Sequence, residues 1–223
     1  MPGNKRGSAS TRKGVDRRAA IIVAAAGLFA EQGYRGASLA SVARQTGLTQ
    51  PGLLHYFPSK EALLLAVLED RYHLDGRRLL AGVGDEGLPL LQALLDIVEH
   101  NQQSVEGVKL FTVLVAESIS KDHPAHDHFT IRYLKVRARL EKILREAQDA
   151  GQIRPDVDLT LLVPVIVAVM DGLQTQWLLD EQVDMAASFA LFSRLLEAAL
   201  IPADDGEAVV GGEPPMATRR RVG

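Results

Sequence analysis

Between Ile21 and Leu200 the apolar side chains recur every three or four residues, and no stretch of convincing length alternates every second residue as a half-buried strand would. In the first such segment Ile21, Ile22, Ala25, Leu28, Phe29 and Gln32 share one helical face, and Gly33 supplies a C-terminal stop. Ser38 is placed to cap a short helix reaching about Thr46, Gly47 breaks the chain, and Thr49 can cap another short helix with Pro51 in its first turn. Pro58 ends that helix. Ser59 caps a longer one, with Glu61 in the first turn complementing the helix dipole, running to about Leu80. After a loop over 82–89, five more helical patterns cover roughly 89–103, 105–119, 124–150, 158–180 and 184–200. The periodicity predicts an all-α chain of about nine helices, with the short ones clustered near the N-terminus.

The sequence holds no cysteine, which excludes disulfides, thiolate nucleophiles, iron–sulfur clusters and zinc ribbons together. Its longest uncharged apolar run, Leu159 to Met170, is 12 residues between Asp158 and Asp171. That is short of the ~20 a membrane span needs, so the run reads as a buried helix. Lys5, Arg6, Arg12, Lys13, Arg17 and Arg18 precede no apolar stretch with a cleavage site, so no signal peptide is expected and the chain is placed in the cytoplasm, with no membrane partner. The formal net charge of −3 conceals a strong asymmetry: residues 1–60 hold nine Lys/Arg against two Asp/Glu, or +7, and the rest holds 16 against 26, or −10. A basic end on an acidic body is the footprint of a nucleic-acid-binding segment joined to a body that does not bind nucleic acid.

Within the basic end, Val42-Ala43, Thr46-Gly47-Leu48, then Leu53, Tyr56 and Phe57 have helix-turn-helix spacing. The small Ala43 lets two helices approach, Gly47 permits the left-handed turn, and the apolar positions close a small core. Residues 18–66 as a whole, with LFAEQGY ending the first helix, Ser38-Leu39 opening the second and Tyr56-Phe57-Pro58-Ser59-Lys60 at the junction, resemble the DNA-binding domain of the TetR family of bacterial transcriptional repressors. The acidic body is similar to C-terminal domains of that family at HPAHDHF followed by Arg132-Tyr133, and at DGLQTQWLLD over 171–180.

The resemblance implies a homodimer that grips a palindromic operator with its N-terminal helix-turn-helix domains and takes a small-molecule effector among its C-terminal helices. It divides the chain into a three-helix DNA-binding domain over 15–60 and a ligand-binding and dimerisation domain over 61–201, flanked by a basic arm over 1–14 and a tail over 202–223 whose Gly-, Ser-, Pro- and charge-rich composition reads as unstructured. Gln50, Pro51, Gly52 and His55 fall on the exposed part of the recognition helix, where Gln50 can pair bidentately with adenine and Gly52 permits close backbone approach. Ser38, Arg44, Thr49, Tyr56 and Lys60 fall at positions that resemble phosphate contacts. Leu54 stands where the family commonly has a phosphate-binding Tyr, which removes one backbone contact.

For the effector, Phe111, Val115, Tyr133, Met170 and Trp177 supply an apolar wall, with His73, His100, Glu117 and Gln174 as hydrogen-bonding groups. This composition suits an apolar or amphipathic molecule, because the body offers no clustered arginines for a phosphate. The last two helices are apolar around much of their circumference, so Leu173, Trp177, Leu178, Phe189, Phe192 and Leu196 are expected to meet a partner subunit in a two-fold four-helix interface.

Two other functions fit parts of the chain. The histidines at 123, 126 and 128 have side chains that could serve a metal-dependent enzyme, but Pro124 marks a helix start there and no general catalytic motif accompanies them. Gly82-Val83-Gly84-Asp85-Glu86-Gly87 matches a dinucleotide-binding fingerprint, yet it follows a helix and not a strand. No cofactor or metal is therefore implied. The second alternative is an architectural DNA-binding protein that answers to no ligand.

Overall fold

The computed structural model describes residues 6–70 and 89–202, and every regular element among them is a helix. The elements are α1 (Arg6–Gly36), α2 (Leu39–Gln45), α3 (Gln50–Tyr56), α4 (60–70, the limit of the described stretch), α5 (Pro89–Gln102), α6 (Val105–Glu117), α7 (His126–Asp149), α8 (Leu159–Leu179) and α9 (Met185–Leu200). The caps lie where the side chains indicate. Ser38 Oγ accepts the Ser41 N–H, Thr49 Oγ1 the Gly52 N–H and Ser59 Oγ the Ala62 N–H, while Asp158 and Asp184 cap α8 and α9. Gly47 has φ +66 in the turn between α2 and α3, a conformation costly for any residue with a Cβ.

Helix α1 begins at Arg6, inside the segment whose composition suggests an unstructured arm. Lengthening a helix already anchored by Ile21, Ile22 and Ala25 needs no new nucleation, so a polar extension free of proline can follow it. At its other end Gly33, with φ +68 and ψ 173, breaks the regular helix, and one short turn follows through Gly36. The supposed dinucleotide fingerprint at 82–87 and His73 lie outside the described residues.

Two apolar cores organise the packing. The first joins Ile21, Phe29, Val42, Leu53, Phe57, Leu63 and Leu64 with Leu110 and Leu114 of α6 and Phe129 of α7. A boundary at residue 60 thus passes through a shared core, because the small N-terminal helices cannot cover their own apolar faces. The second gathers Leu90, Leu94, Leu140, Leu144, Val163, Ile166, Trp177, Met185 and Phe189 from α5, α7, α8 and α9. Helix α8 runs for 21 residues, far beyond the 12-residue apolar run, because the helix continues through Asp171. By length and composition alone α8 is sufficient to cross a membrane, but its inner face belongs to this second core.

Asp171 is held on the side of that core by the Tyr133 hydroxyl, which donates to Oδ2 at 2.7 Å. Burial pushes the Asp171 carboxyl above its ordinary range, against the opposing effects of Tyr133 and Arg132. Burial, reinforced by donation to Asp171, pushes the Tyr133 phenol up as well. Since the folded state holds the Asp171 proton more tightly, this group favours folding most below the unfolded carboxyl value and loses that contribution as pH rises through the folded one. Asp171→Asn keeps an acceptor and removes the charge, so its melting temperature at pH 7 should equal or exceed that of the unmodified chain, with the gap closing in acid. Tyr133→Phe leaves the Asp171 carboxyl without its donor and should cost about 1–3 kcal/mol in denaturant titrations at pH 7.

Candidate nucleic-acid interface and effector region

Helix α3 follows α2 after the Gly47 turn and buries only Leu53, which leaves Gln50, Pro51 and His55 exposed on its outer side. Its seat is set by Val42 and Ala43 of α2 beneath it and by Arg17 of α1, whose Nη1 donates to the Thr46 carbonyl at 3.2 Å. A Cβ on Gly52 would lie 3.3 Å from Thr49 Oγ1, the oxygen that caps α3. Glycine at that position therefore also protects the cap. Leu54 is half-buried.

The residues expected at phosphates divide into two groups. Arg44 is exposed near the end of α2, where its guanidinium stands clear of the buried Val42 and Ala43. The Ser38 and Thr49 oxygens sit at exposed helix N-termini, and Tyr56 is half-buried with its ring edge-on to His55 at 5.8 Å. Lys60 also has contacts within the protomer. Its ammonium lies 4.4 Å over the Tyr34 ring and donates to the Arg35 carbonyl at 3.5 Å, so it is directed at the end of α1. Desolvation there holds its pKa below the usual lysine range, partly offset by Glu117.

Of the nine residues expected around an effector, His73 lies outside the described residues and the other eight do not form one group. Tyr133, Met170, Gln174 and Trp177 belong to the core of α5, α7, α8 and α9, with Gln174 buried at 6% exposure, and His100 is half-buried near the end of α5. Phe111 and Val115 instead pack on the N-terminal core, because α6 turns that face toward α1. Glu117 points the same way: its Oε2 accepts the Tyr34 backbone N–H at 2.7 Å, released where Gly33 breaks α1. Asp171, which sequence reasoning missed, is the strongest polar feature beside Tyr133, and the visible signal was a carboxylate interrupting an otherwise apolar helix.

The histidine-rich loop also closes on itself. The Ala125 N–H donates to His123 Nδ1 at 3.2 Å, which assigns the proton of the neutral ring to Nε2, facing Glu117 Oε2 across 3.8 Å. Burial holds His123 below its usual pKa, opposed by Glu117. His126 Nδ1 lies 2.8 Å from the Ser118 carbonyl, and the His128 ring packs edge-on to Phe129 at 5.3 Å. Among the described residues no three histidine or acidic side chains converge as metal ligands.

The six residues expected to meet a partner subunit are not the most exposed apolar side chains of α8 and α9. Phe189 is completely buried and Trp177 nearly so within their own protomer, because both fill the second core. Leu173, Leu178, Phe192 and Leu196 are half-buried against that core. Exposed apolar side chains on these helices include Leu161, Val165 and Ala168 on α8 and Leu191 and Leu195 on α9, where Leu195 keeps 64% of its surface exposed.

Comparison with known proteins agrees with this arrangement. Residues 21–67 match the model of bacterial regulatory proteins of the tetR family, and residues 89–201 match that of the C-terminal domain of BetI-type transcriptional repressors. The HTH-type transcriptional repressor AcnR of Corynebacterium diphtheriae is 28% identical over 158 residues, covering 70% of this chain and 78% of AcnR. A TetR transcriptional regulator from Chloroflexus aurantiacus shares the fold with a TM-score of 0.77 at 22% identity, over 86% of this chain and all of that one. SmeT, the repressor of the Stenotrophomonas maltophilia multidrug efflux pump SmeDEF, superposes in its triclosan complex with a TM-score of 0.70 at 20% identity, over 92% of this chain and 100% of that one. These matches set aside the enzyme reading of the histidine loop. With the helix-turn-helix at one end and the matching helical body at the other, the chain belongs to the TetR family of bacterial transcriptional regulators.

Proposed function

We propose that this protein is a cytoplasmic, dimeric repressor that binds a palindromic operator through α3 and releases it when a small apolar or amphipathic molecule occupies the body. The observation that carries the DNA reading is the outer side of α3, where Gln50, Pro51 and His55 stand exposed on a helix rigidly seated by Leu53 and Ala43. Gln50 and His55 read base edges in the major groove. Arg44, Ser38, Thr49, Tyr56 and Lys60 hold the flanking phosphates, with Lys60 also supporting the end of α1.

The effector region is the part of the body around Tyr133, Met170, Asp171, Gln174 and Trp177, where a few polar groups stand in an apolar surround. The neighbouring SmeT–triclosan complex supports a small, largely apolar ligand as the class to screen. The dimer forms through the α8–α9 stripe of Leu161, Val165, Leu191 and Leu195, since a contiguous exposed apolar face on two adjacent helices marks an interface.

Three outcomes test these roles. Gln50→Ala and His55→Ala should each cost about 1–3 kcal/mol at defined operator positions and little on random DNA, whereas Arg44→Ala should weaken all sequences alike and lower the salt slope by about one. Equal losses on operator and random DNA for all three would reject the division. Leu195→Glu should turn the dimer into a folded monomer by sedimentation. Phe189→Ala, in contrast, should lower protomer stability by about 3–5 kcal/mol, because it empties the protomer's own core.

A further inference from the structure

The end of α1 is fixed from three directions. Gly33 bends the chain, and the Tyr34 N–H that follows donates to Glu117 at the end of α6. A Cβ on Gly33 would come within 2.5 Å of Glu117 Oε1, so the carboxylate fits directly into the bend. The Tyr34 ring meets the buried His123 ring edge-on at 5.1 Å, and Lys60, the first residue of α4, covers it from the other side. Two exposed ion pairs flank this point, Glu31 with Lys109 at 2.6 Å and Arg35 with Asp122 at 3.3 Å.

Beyond the bend the chain leads at once into the DNA-reading helices. The Ala37 N–H closes a turn on the Gly33 carbonyl, Ser38 caps α2, and α3 follows. Apolar packing along α1 and α6 holds the two halves together but is non-directional. A charge-assisted hydrogen bond to a backbone N–H has a fixed direction. His123 Nε2 is buried with no hydrogen-bond partner of its own and faces the same carboxylate, so the site has a second donor in reserve.

We propose that Glu117 is a positioning residue for operator recognition: by holding the Gly33–Tyr34 bend against the corner between α6 and α7, it fixes the angle at which each protomer presents α3 and hence the half-site spacing the dimer accepts. The inference rests on the dimeric reading above and goes beyond it by assigning the spacing to one carboxylate. Glu117 touches no DNA and acts only through Tyr34.

The test uses the full chain and three duplexes: an operator recovered by selection from random sequence, the same operator with one base pair added at its centre, and a single half-site. The unmodified protein should bind the lengthened operator less tightly than the selected one. Glu117→Ala and Glu117→Met, the second filling the same space without an acceptor, should each shrink that penalty about fivefold or more while leaving single half-site affinity unchanged. Glu117→Gln, which still accepts the Tyr34 N–H, should keep most of the penalty, and Lys109→Ala, which breaks the flanking ion pair, should keep all of it. A purely structural role would lower the melting temperature without touching the spacing preference. Retention of the full penalty by either Glu117→Ala or Glu117→Met, in protein folded by circular dichroism, would overturn the proposal. Indifference of the unmodified protein to the added base pair would instead overturn the dimeric reading itself.

Discussion

Leu110, Leu114 and Phe129 of the body fill the core beneath the DNA-reading helices, and that sharing of apolar surface governs the rest of the structure. Helices α2 and α3 are seven residues each, too short to persist on their own propensity. They hold their geometry because Val42, Ala43 and Leu53 are pressed onto α1, which is in turn pressed onto α6. A change in the body at α6 is therefore a change in the floor on which α3 rests. This is a requirement for any effector that acts at a distance, since it must bind two arrangements of the chain with different affinity.

The electrostatics divide along the same line. The basic end faces outward through Arg44 and the α3 surface, while the contacts that cross to the body pair Glu31 with Lys109, Arg35 with Asp122 and the Tyr34 N–H with Glu117. The two ion pairs are exposed and contribute little to stability. Glu117 differs because its partner is a backbone group left over by a glycine bend, so geometry and not charge alone selects it.

Much of the architecture was legible in the sequence because its signals are local. The three- and four-residue periodicity marked the helices, and Ser38, Thr49, Ser59, Asp158 and Asp184 capped them at or near the expected starts. The helix-turn-helix was legible for the same reason: Ala43, Gly47 and Leu53 act over a dozen residues. What local pattern could not give was which face of a helix meets which neighbour. Phe189 and Leu195 look alike in sequence, yet one is sealed in the protomer and the other lies open. Phe111, Val115 and Glu117 stand on a helix of the body, yet its packing turns them to the N-terminal core. The contact of Lys60 with the Tyr34 ring, 26 residues earlier, has no local signal either. Each of these depends on contacts distant in sequence.

In the proposed function the chain is a two-fold reader of a defined DNA site, built on helices whose spacing the body sets. Hydroxyl-radical footprinting of the full chain on DNA selected from random sequence addresses it directly. Two protected blocks on one face of the duplex, centred about one helical turn or ~34–36 Å apart and appearing together as protein is added, are the predicted result. Protection that spreads continuously along the duplex with rising protein, or a single isolated block, would contradict it.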